Sequence, residues 1–255
     1  VEERKNEEGQ TEVRLRTFEE VAEKLGEPGK YLLIQSEEVT DRYKNMPVHM
    51  NATNLHSLLT PLGGTSVYDV MQNNTNALLA QRERTGQPMM IHLNHPNFHY
   101  GVTAEELMKV VGENFFEVYN GHPGVNNKGD EIYPSTDRIW DIILTKRLAE
   151  LKLPMMYGLA TDDGHNYHKI PSRASEPGRG WVVVLSKALE PEALVDAMEA
   201  GRFYASSGVK LKSITYSDQG IQVEIDPEEG VEYTTDFIGT LEGYPKEGMP
   251  KLDKQ

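Results

Sequence analysis

Two side chains that could bind a metal ion, Asp163 and His165, follow a short apolar run at residues 155–160. The run has the pattern of a buried strand. Charged groups at the end of a buried strand are costly unless a partner neutralises them, and a metal ion is a common partner. In an extended segment, residues two apart point to the same side, so one ion could contact both. The alternative is a polar loop whose aspartates bind backbone groups and whose histidines face water.

Similar donor side chains occur in or just after other predicted strands. Together they form a set of six oxygen and nitrogen donors: Glu38, His49, His95, Glu117, Asp163 and His165. This mixture suits Zn, Mn or Fe, whereas Ca²⁺ prefers fewer imidazoles. A pair of such ions, about 3.5–4 Å apart, could activate a water molecule and neutralise charge on a phosphoryl or acyl group. The chain has no cysteine, so thiolate sites and disulfides are excluded.

Predicted strands and helices alternate from residue 31 to residue 205, which favours an α/β architecture with a parallel sheet or a barrel. Apolar runs predict strands at residues 31–35, 48–54, 89–95, 115–120, 155–161 and 181–185. Capped or amphipathic stretches predict helices at residues 17–25, 66–84, 103–111, 136–151 and 191–201. In a barrel, catalytic side chains collect where strands end, which is where the six donors are found.

From residue 203 the pattern changes to short alternating segments separated by Gly, Asp and Pro, which is typical of antiparallel strands. These segments are residues 210–216, 221–225 and 231–238. We therefore predict a boundary near Gly208. The main domain covers residues 1–208, and a small β appendix with a tail covers residues 209–255.

The composition limits the partners. The chain has 255 residues and a formal net charge of -14, which argues against nucleic acid because phosphates need a basic surface. An acidic protein can still bind an anionic small-molecule substrate when metal ions reverse the local field. No apolar run is long enough to span a bilayer, so no membrane partner is expected. The chain has neither an initiator Met nor a signal-like start. Both a cytoplasmic location and, after removal of an upstream signal, a periplasmic or secreted one stay open.

Five short motifs follow one another along the chain. They are Glu-Val-Thr at 38–40, the His at 49, Asn-His-Pro at 94–96, Glu-x-Tyr-Asn-Gly at 117–121 and Asp-x-His at 163–165. Segments 178–184 and 201–208 continue the series. In this order they resemble the PHP (polymerase and histidinol phosphatase) superfamily, especially its small phosphoesterase and carbaryl-hydrolase-like branches. The family's opening His-x-His and Thr-Asp-His motifs are absent, and residues 1–30 contain no histidine. We expect that the chain was truncated or cleaved downstream of these motifs, that another piece of chain carries them, or that the protein is a degenerate relative.

The resemblance implies a distorted (β/α)7 TIM-like barrel that lacks its first strands, followed by the small antiparallel β appendix. It implies two or three divalent ions in the complete site, with about half of the ligands on the absent motifs. The implied ligands in this chain are Glu38, His49, His95, Asp163 and His165, and Glu117 joins them or lines the site. Asp163 and His165 are the candidate catalytic residues, since either could move a proton. The candidates for substrate binding are Arg179, Asn120 and His122.

Three functions are compatible with these residues. The leading hypothesis is metal-dependent hydrolysis of a phosphoester by a metal-activated water. The second is hydrolysis of a carbamate, ester or amide at the same site. The third is a catalytically inactive PHP-like binding module, which the absent histidine motifs would explain. A Ser–His–Asp arrangement with a nucleophile-elbow sequence is not found, which disfavours covalent acyl transfer.

Overall fold

A computed structural model describes residues 2–171 and 174–240 of the chain. The chain forms two compact units, Val1–Gly208 and Val209–Gln255. The strands of the first unit are β1 (Glu2–Lys5), β2 (Thr11–Arg14), β3 (Ser36–Tyr43), β4 (Met46–Thr53), β5 (Met90–Leu93), β6 (Phe115–Asn120), β7 (Tyr157–Thr161), β8 (Trp181–Val184) and β9 (Phe203–Ser206). Its helices are α1 (Phe18–Leu25), α2 (Val67–Thr85), α3 (Ala104–Leu107), α4 (Thr136–Thr145), which continues as a π-helix over Lys146–Leu151, and α5 (Pro191–Glu199). The predicted tail after Gly243 lies outside the described residues.

Strands β3 to β7 form one mixed sheet whose strand order follows the sequence. β3 and β4 form an antiparallel hairpin in which Glu38 faces Asn51 and Thr40 faces His49. β4 is antiparallel to β5, while β5, β6 and β7 are parallel to one another. Only two residues join β3 to β4. The first of them, Lys44, has a φ of 54°, which matches the positive φ of tight hairpin turns.

Alternation along the hairpin gives the sheet one apolar face and one polar face. Val39, Val48, Met50 and Ala52 point to the apolar face and are fully buried. They pack into the main core with buried residues of α2, α3 and α4: Val67, Val70, Met71, Leu78, Ala104, Leu107, Ile139 and Ile143. Full burial of one such aliphatic side chain contributes about 1.5–3 kcal/mol. This helical layer therefore holds the sheet in place.

Helices α1 and α2 confirm the predictions at 17–25 and 66–84 to within about one residue. The side chain of Ser66 accepts a hydrogen bond from the Asp69 N–H and so caps α2. Gly86 follows the last turn with a φ of 70°, the left-handed conformation that glycine adopts without strain. The helix predicted at 103–111 is only one turn, α3. Among the described helices, none combines the length and apolar composition needed to cross a membrane.

The polar face of the sheet is covered over part of its area. Met90, Phe115 and Leu159 form a second, smaller core with Val195 of α5. β8 and β9 form an antiparallel pair in the same unit. On the same face, the Glu38 side chain is 42% exposed and that of His49 20% exposed. The sheet therefore presents polar side chains at a place that solvent and ligands can reach.

The predicted distorted (β/α)7 TIM-like barrel is wrong. The described strands form one five-stranded mixed sheet and three two-stranded sheets. The edge strands β3 and β7 do not pair with each other, so no barrel closes. The physical reason begins at the hairpin, because two residues cannot provide the crossover that a parallel pair needs. The strand predicted at 31–35 is also wrong, since β3 begins only at Ser36.

The second unit contains β10 (Leu211–Ser217) and β11 (Gly220–Ile225), which form an antiparallel hairpin. These strands confirm two of the three that the sequence predicts in this region. The third, at 231–238, does not form a strand.

Gly158 in β7 is a position where no larger side chain fits. A Cβ at this residue would lie 2.6 Å from Val118 Cγ2 and 3.3 Å from two ring atoms of Trp140. We expect Gly158→Ala to lower the free energy of unfolding by about 1–3 kcal/mol, because overpacking displaces its neighbours. Urea unfolding followed by tryptophan fluorescence measures this change. Gly208→Ala is the matched control, since a Cβ there meets no atom within 4 Å, and equal stability of the two variants would contradict the packing described.

Candidate metal centre

Glu38, His49 and His95 each bring one donor atom into a single group, which we call the metal centre. The three atoms lie within 4.8 Å of one another. His49 Nδ1 is 3.2 Å and His95 Nε2 is 3.9 Å from Glu38 Oε1. The two imidazole ring centres are 5.1 Å apart. In the part of the chain that the structure describes, no other group of acidic and histidine side chains converges in this way.

The register of the sheet places these three residues. Glu38 and His49 lie on the polar face of the β3–β4 hairpin, two positions apart in its ladder. The Asn94 N–H donates a hydrogen bond of 2.9 Å to the carbonyl oxygen of His49, which holds the end of β5 beside β4. His95 is the next residue and therefore reaches the same place. Strands β3 and β4 and the segment just after β5 thus supply one candidate ligand each.

The protonation states of the centre suit metal binding. The His49 imidazole lowers the pKa of the Glu38 carboxyl below its usual value, although partial burial opposes this effect. Burial lowers the pKa of His95 below its usual value. At neutral pH, Glu38 is therefore ionised and His95 is neutral, and these are the forms that bind metal ions. Asn94 Nδ2 donates to Glu38 Oε1 at 3.1 Å, which orients the carboxylate.

The spacing of the donors fits a transition-metal ion. Ligands about 2.1 Å from a tetrahedral ion are about 3.4 Å apart. The separations of 3.2 Å and 3.9 Å measured from Glu38 Oε1 lie on either side of this value. Two imidazole nitrogens and a carboxylate oxygen also form the donor set of many hydrolytic zinc sites. The group of Glu38, His49 and His95 could therefore hold a divalent ion.

Glu117, another predicted ligand, lies next to the metal centre but is not part of it. The residue is only 2% exposed. Its carboxylate accepts hydrogen bonds of 2.8 Å from the His95 N–H, from Asn120 Nδ2 and from Thr161 Oγ1. Burial raises the pKa of Glu117, but His92, Asn120 and the His95 N–H together bring it below its usual value. The ionised Glu117 thus fixes His95 relative to β6 and β7.

Asp163 and His165, the predicted ligands and catalytic residues at the end of β7, also lie outside the group of three. Asp163 has a φ of 48°, which is uncommon for a residue other than glycine. Its Oδ2 accepts a hydrogen bond of 3.3 Å from Asn120 Nδ2. The side chain of His165 is 66% exposed. Because Asn120 donates to both Glu117 and Asp163, it connects the end of β7 with the metal centre.

The candidates for substrate binding lie around the ends of β6 and β7. The His122 N–H donates to Asn120 Oδ1 at 2.8 Å. The ring centre of His122 is 5.2 Å from that of His165. Arg179 packs against Gly121, where an added Cβ would lie 2.7 Å from the Arg179 Cβ. The structure therefore brings Asn120, His122 and Arg179 together near Asp163 and His165.

Sequence reasoning missed two residues that contact the centre, Asn94 and Phe98. The Phe98 ring centre lies 5.1 Å from that of His95 and 6.2 Å from that of His49. The Asn-His-Pro motif could have identified Asn94, because this residue directly precedes the His95 ligand. Nothing in the sequence distinguishes Phe98 from a core aromatic residue.

His92 is a buried histidine beside the centre. It is 7% exposed, and neither ring nitrogen has a hydrogen-bond partner. Its Nε2 lies 3.6 Å from Glu117 Oε1, which is too long for a hydrogen bond. The donors that hold Glu117 are therefore the His95 N–H, Asn120 Nδ2 and Thr161 Oγ1.

No protein-family model matches the sequence, and no curated protein matches it either. The likeness to the PHP superfamily therefore rests on the short motifs alone. The chemistry of the protein has to be inferred from the metal centre and its surroundings.

Proposed function

We propose that the protein is a metal-dependent hydrolase that cleaves phosphoesters with water as the nucleophile. The observation that carries this proposal is the convergence of two imidazoles and one carboxylate, from His49, His95 and Glu38, on the polar face of the sheet. Catalytic zinc sites use three protein ligands of this kind and keep another position open. A divalent ion held by such a set lowers the pKa of bound water and stabilises negative charge on a phosphoryl oxygen.

The protein's own residues prepare the centre for this reaction. Asn94 holds Glu38 in place through its hydrogen bond of 3.1 Å. Glu117 holds the backbone of His95. Phe98 packs against the His95 ring and lies near the His49 ring. The ligands are therefore positioned before any ion binds, which reduces the reorganisation that binding requires.

Asp163 and His165 are the proposed proton acceptors for the attacking water. Asp163 Oδ2 is oriented by Asn120, the same side chain that contacts Glu117. The exposed ring of His165 can pass a proton to solvent. General bases of this kind typically accelerate a reaction about 10²–10⁴-fold.

Two features support a phosphoester as the substrate class. The motifs at 38–40, 94–96 and 117–121 resemble those of the PHP superfamily, whose small branches include phosphoesterases. Arg179 and His122 lie near the ends of β6 and β7. Arg179 Nη1 donates to the Ala174 carbonyl oxygen at 2.9 Å, and the guanidinium has further N–H groups that suit anionic oxygens. In a chain with a net charge of -14, such groups and a bound cation are needed to attract an anion.

The test is hydrolysis of 4-nitrophenyl phosphate by the full chain, before and after chelation and after addition of Zn²⁺ or Mn²⁺. We expect activity to disappear on chelation, to return with the metal and to fall at least about 100-fold in His49→Ala. His56→Ala serves as the control, since His56 is exposed and lies three residues beyond the end of β4, outside the metal centre. Hydrolysis that survives chelation, or a metal-loaded protein that cleaves 4-nitrophenyl acetate but no phosphoester, would overturn the proposal.

A further inference from the structure

A second pair of histidines, His122 and His165, lies at the ends of β6 and β7. The two rings meet edge to face, with centres 5.2 Å apart and an angle of 71° between their planes. Neither belongs to the metal centre of Glu38, His49 and His95. Both side chains remain accessible, since His122 is partly and His165 largely exposed. A ligand from solvent can therefore reach the pair.

The hydrogen bonds of His122 determine which ring nitrogen carries its proton. The Gly124 N–H donates to His122 Nδ1 at 3.0 Å, so Nδ1 is an acceptor and has no proton. In the neutral ring the proton is then on Nε2. Gly124 permits this approach, because an added Cβ would lie 3.1 Å from both Cε1 and Nδ1 of His122. Nε2 of His122 is therefore an N–H donor and has no lone pair for a metal ion.

His165 has the opposite tautomer. Its Nδ1 lies 2.7 Å from the carbonyl oxygen of Asp163. A carbonyl oxygen can only accept, so Nδ1 carries the proton and Nε2 has the free lone pair. The two adjacent rings thus offer complementary groups, a donor on His122 and an acceptor on His165.

The histidine pair is close to the metal centre. Phe98 packs against His95 with ring centres 5.1 Å apart. Gly124 lies next to both Phe98 and His122: a Cβ added to it would be 3.7 Å from Phe98 Cε2 and 3.1 Å from the His122 ring. Phe98 thus lies near both the His122 ring and the metal centre. A substrate that spans this aromatic ring could contact both.

We propose that His122 is a substrate-binding residue whose Nε2–H donates a hydrogen bond to an anionic phosphoryl oxygen of the substrate. The assignment of the anion rests on the proposed function. The substrate then has at least two phosphoryl oxygens in contact with the protein site, one toward the metal centre and one at His122. This arrangement favours phosphomonoesters and phosphodiesters over uncharged esters.

The tautomers can be measured on the metal-free protein by two-bond proton–nitrogen correlation spectra at about pH 8, where ordinary histidines are neutral. Spectra of His122→Phe and His165→Phe identify the two signals among the eight histidines of the chain. We expect the Nε2–H form for His122 and the Nδ1–H form for His165. The Nδ1–H form for His122 would overturn the proposal, whatever the outcome of metal binding.

The role in binding is tested by titrating the Zn²⁺-loaded protein with inorganic phosphate in a calorimeter. His122→Phe removes the donor and keeps a ring, and we expect it to weaken phosphate binding about tenfold or more. His122→Gln keeps an N–H donor, and we expect it to bind within about threefold of the parent protein. His56→Phe is the matched control and should bind phosphate as the parent protein does. Unchanged affinity in His122→Phe would overturn the proposal.

The Zn²⁺ content of the variants distinguishes a failure of the His122 proposal from a failure of the proposed function. We expect Zn²⁺ content to be the same in His122→Phe, His56→Phe and the parent protein, with only phosphate binding changed in the first. Loss of Zn²⁺ from His122→Phe would mean that His122 supports the centre itself, which also overturns the donor role. Absence of Zn²⁺ from the parent protein would count against the proposed function, whereas the tautomer measurement still decides the state of His122.

Discussion

Replacing His95 with alanine is expected to weaken Zn²⁺ binding at least about 100-fold, because even the loss of a residue that only orients a ligand costs about 10–100-fold. His95 supplies one of the three donor atoms of the centre and is 7% exposed. Its removal therefore leaves two ligands and a partly buried space. Isothermal titration calorimetry of the full chain with Zn²⁺ measures the change.

Two further variants make the His95 result specific. His56→Ala removes an exposed histidine outside the centre, so its Zn²⁺ affinity should equal that of the parent protein. Asn94→Leu removes the donor to Glu38 but keeps all three ligands, so a smaller loss of about 10-fold is expected. If His95→Ala and His56→Ala bind Zn²⁺ equally, the ion binds elsewhere and the account of the centre is wrong.

Raising the pH from about 5 to about 8 is expected to lower the free energy of unfolding of the parent protein. This loss should be about 3 kcal/mol larger than the loss in the Glu113→Gln variant over the same pH range. Glu113 is fully buried, and neither of its carboxyl oxygens has a hydrogen-bond partner. Burial raises the pKa of Glu113 from 4.5 to about 8, against the opposing effects of the Leu93 backbone and of the Arg147 charge. Arg147 is also buried, but its guanidinium donates to the carbonyl oxygens of Val110 and Pro154 at 2.7 Å and 2.9 Å.

The sign of this effect follows from proton binding. Between the unfolded pKa of 4.5 and the folded pKa of about 8, the folded state holds a proton on Glu113 that the unfolded state has released. The contribution of Glu113 is therefore fully present below the lower value and is lost as the pH rises to the upper one. Glu113→Gln mimics the protonated carboxyl and removes this dependence.

Urea unfolding at the two pH values, followed by the fluorescence of Trp140 and Trp181, measures the difference. Both tryptophans belong to the unit Val1–Gly208, which also contains Glu113. The comparison with Glu113→Gln cancels the contributions of all other titrating groups. Equal pH dependence of the two proteins would mean that Glu113 ionises in the folded state with Arg147 as its partner, in contradiction to the burial described.

Local patterns in the sequence predicted the parallel part of the sheet well. β6 coincides with the predicted strand 115–120, and β5 and β7 lie within the predicted strands 89–95 and 155–161. These strands are short apolar runs that end in polar residues, so the sequence pattern and the expected burial both indicate a strand. His95 could be placed near a metal site for this reason, because it directly follows such a run.

The hairpin and the open sheet could not be predicted in the same way. In β3, Val39 is fully buried while Glu38 and Thr40 on either side of it are exposed. This alternation is a weaker signal than the apolar run at 31–35. The short connection between Tyr43 and Met46 determines that β3 and β4 are antiparallel, because two residues cannot form the crossover of a parallel pair. Barrel closure depends on pairing between the first and last strands, which no local pattern encodes.

In the candidate site, too, the sequence predicted the residue types but not which of them come together. Glu38, His49 and His95 were among the six predicted donors, and the structure brings these three together. The other three, Glu117, Asp163 and His165, lie beside the centre, where Asn120 connects Glu117 with Asp163. Residue types indicate which side chains can bind a metal, but their distances depend on strand register, and register is set by the whole sheet.

The most direct test of the metal centre is anomalous diffraction at the zinc absorption edge from crystals of the full chain grown with Zn²⁺. We expect a peak about 2.0–2.2 Å from Glu38 Oε1, His49 Nδ1 and His95 Nε2. A peak bound to other residues, or no peak between these three side chains at saturating Zn²⁺, would mean that they do not form a metal site.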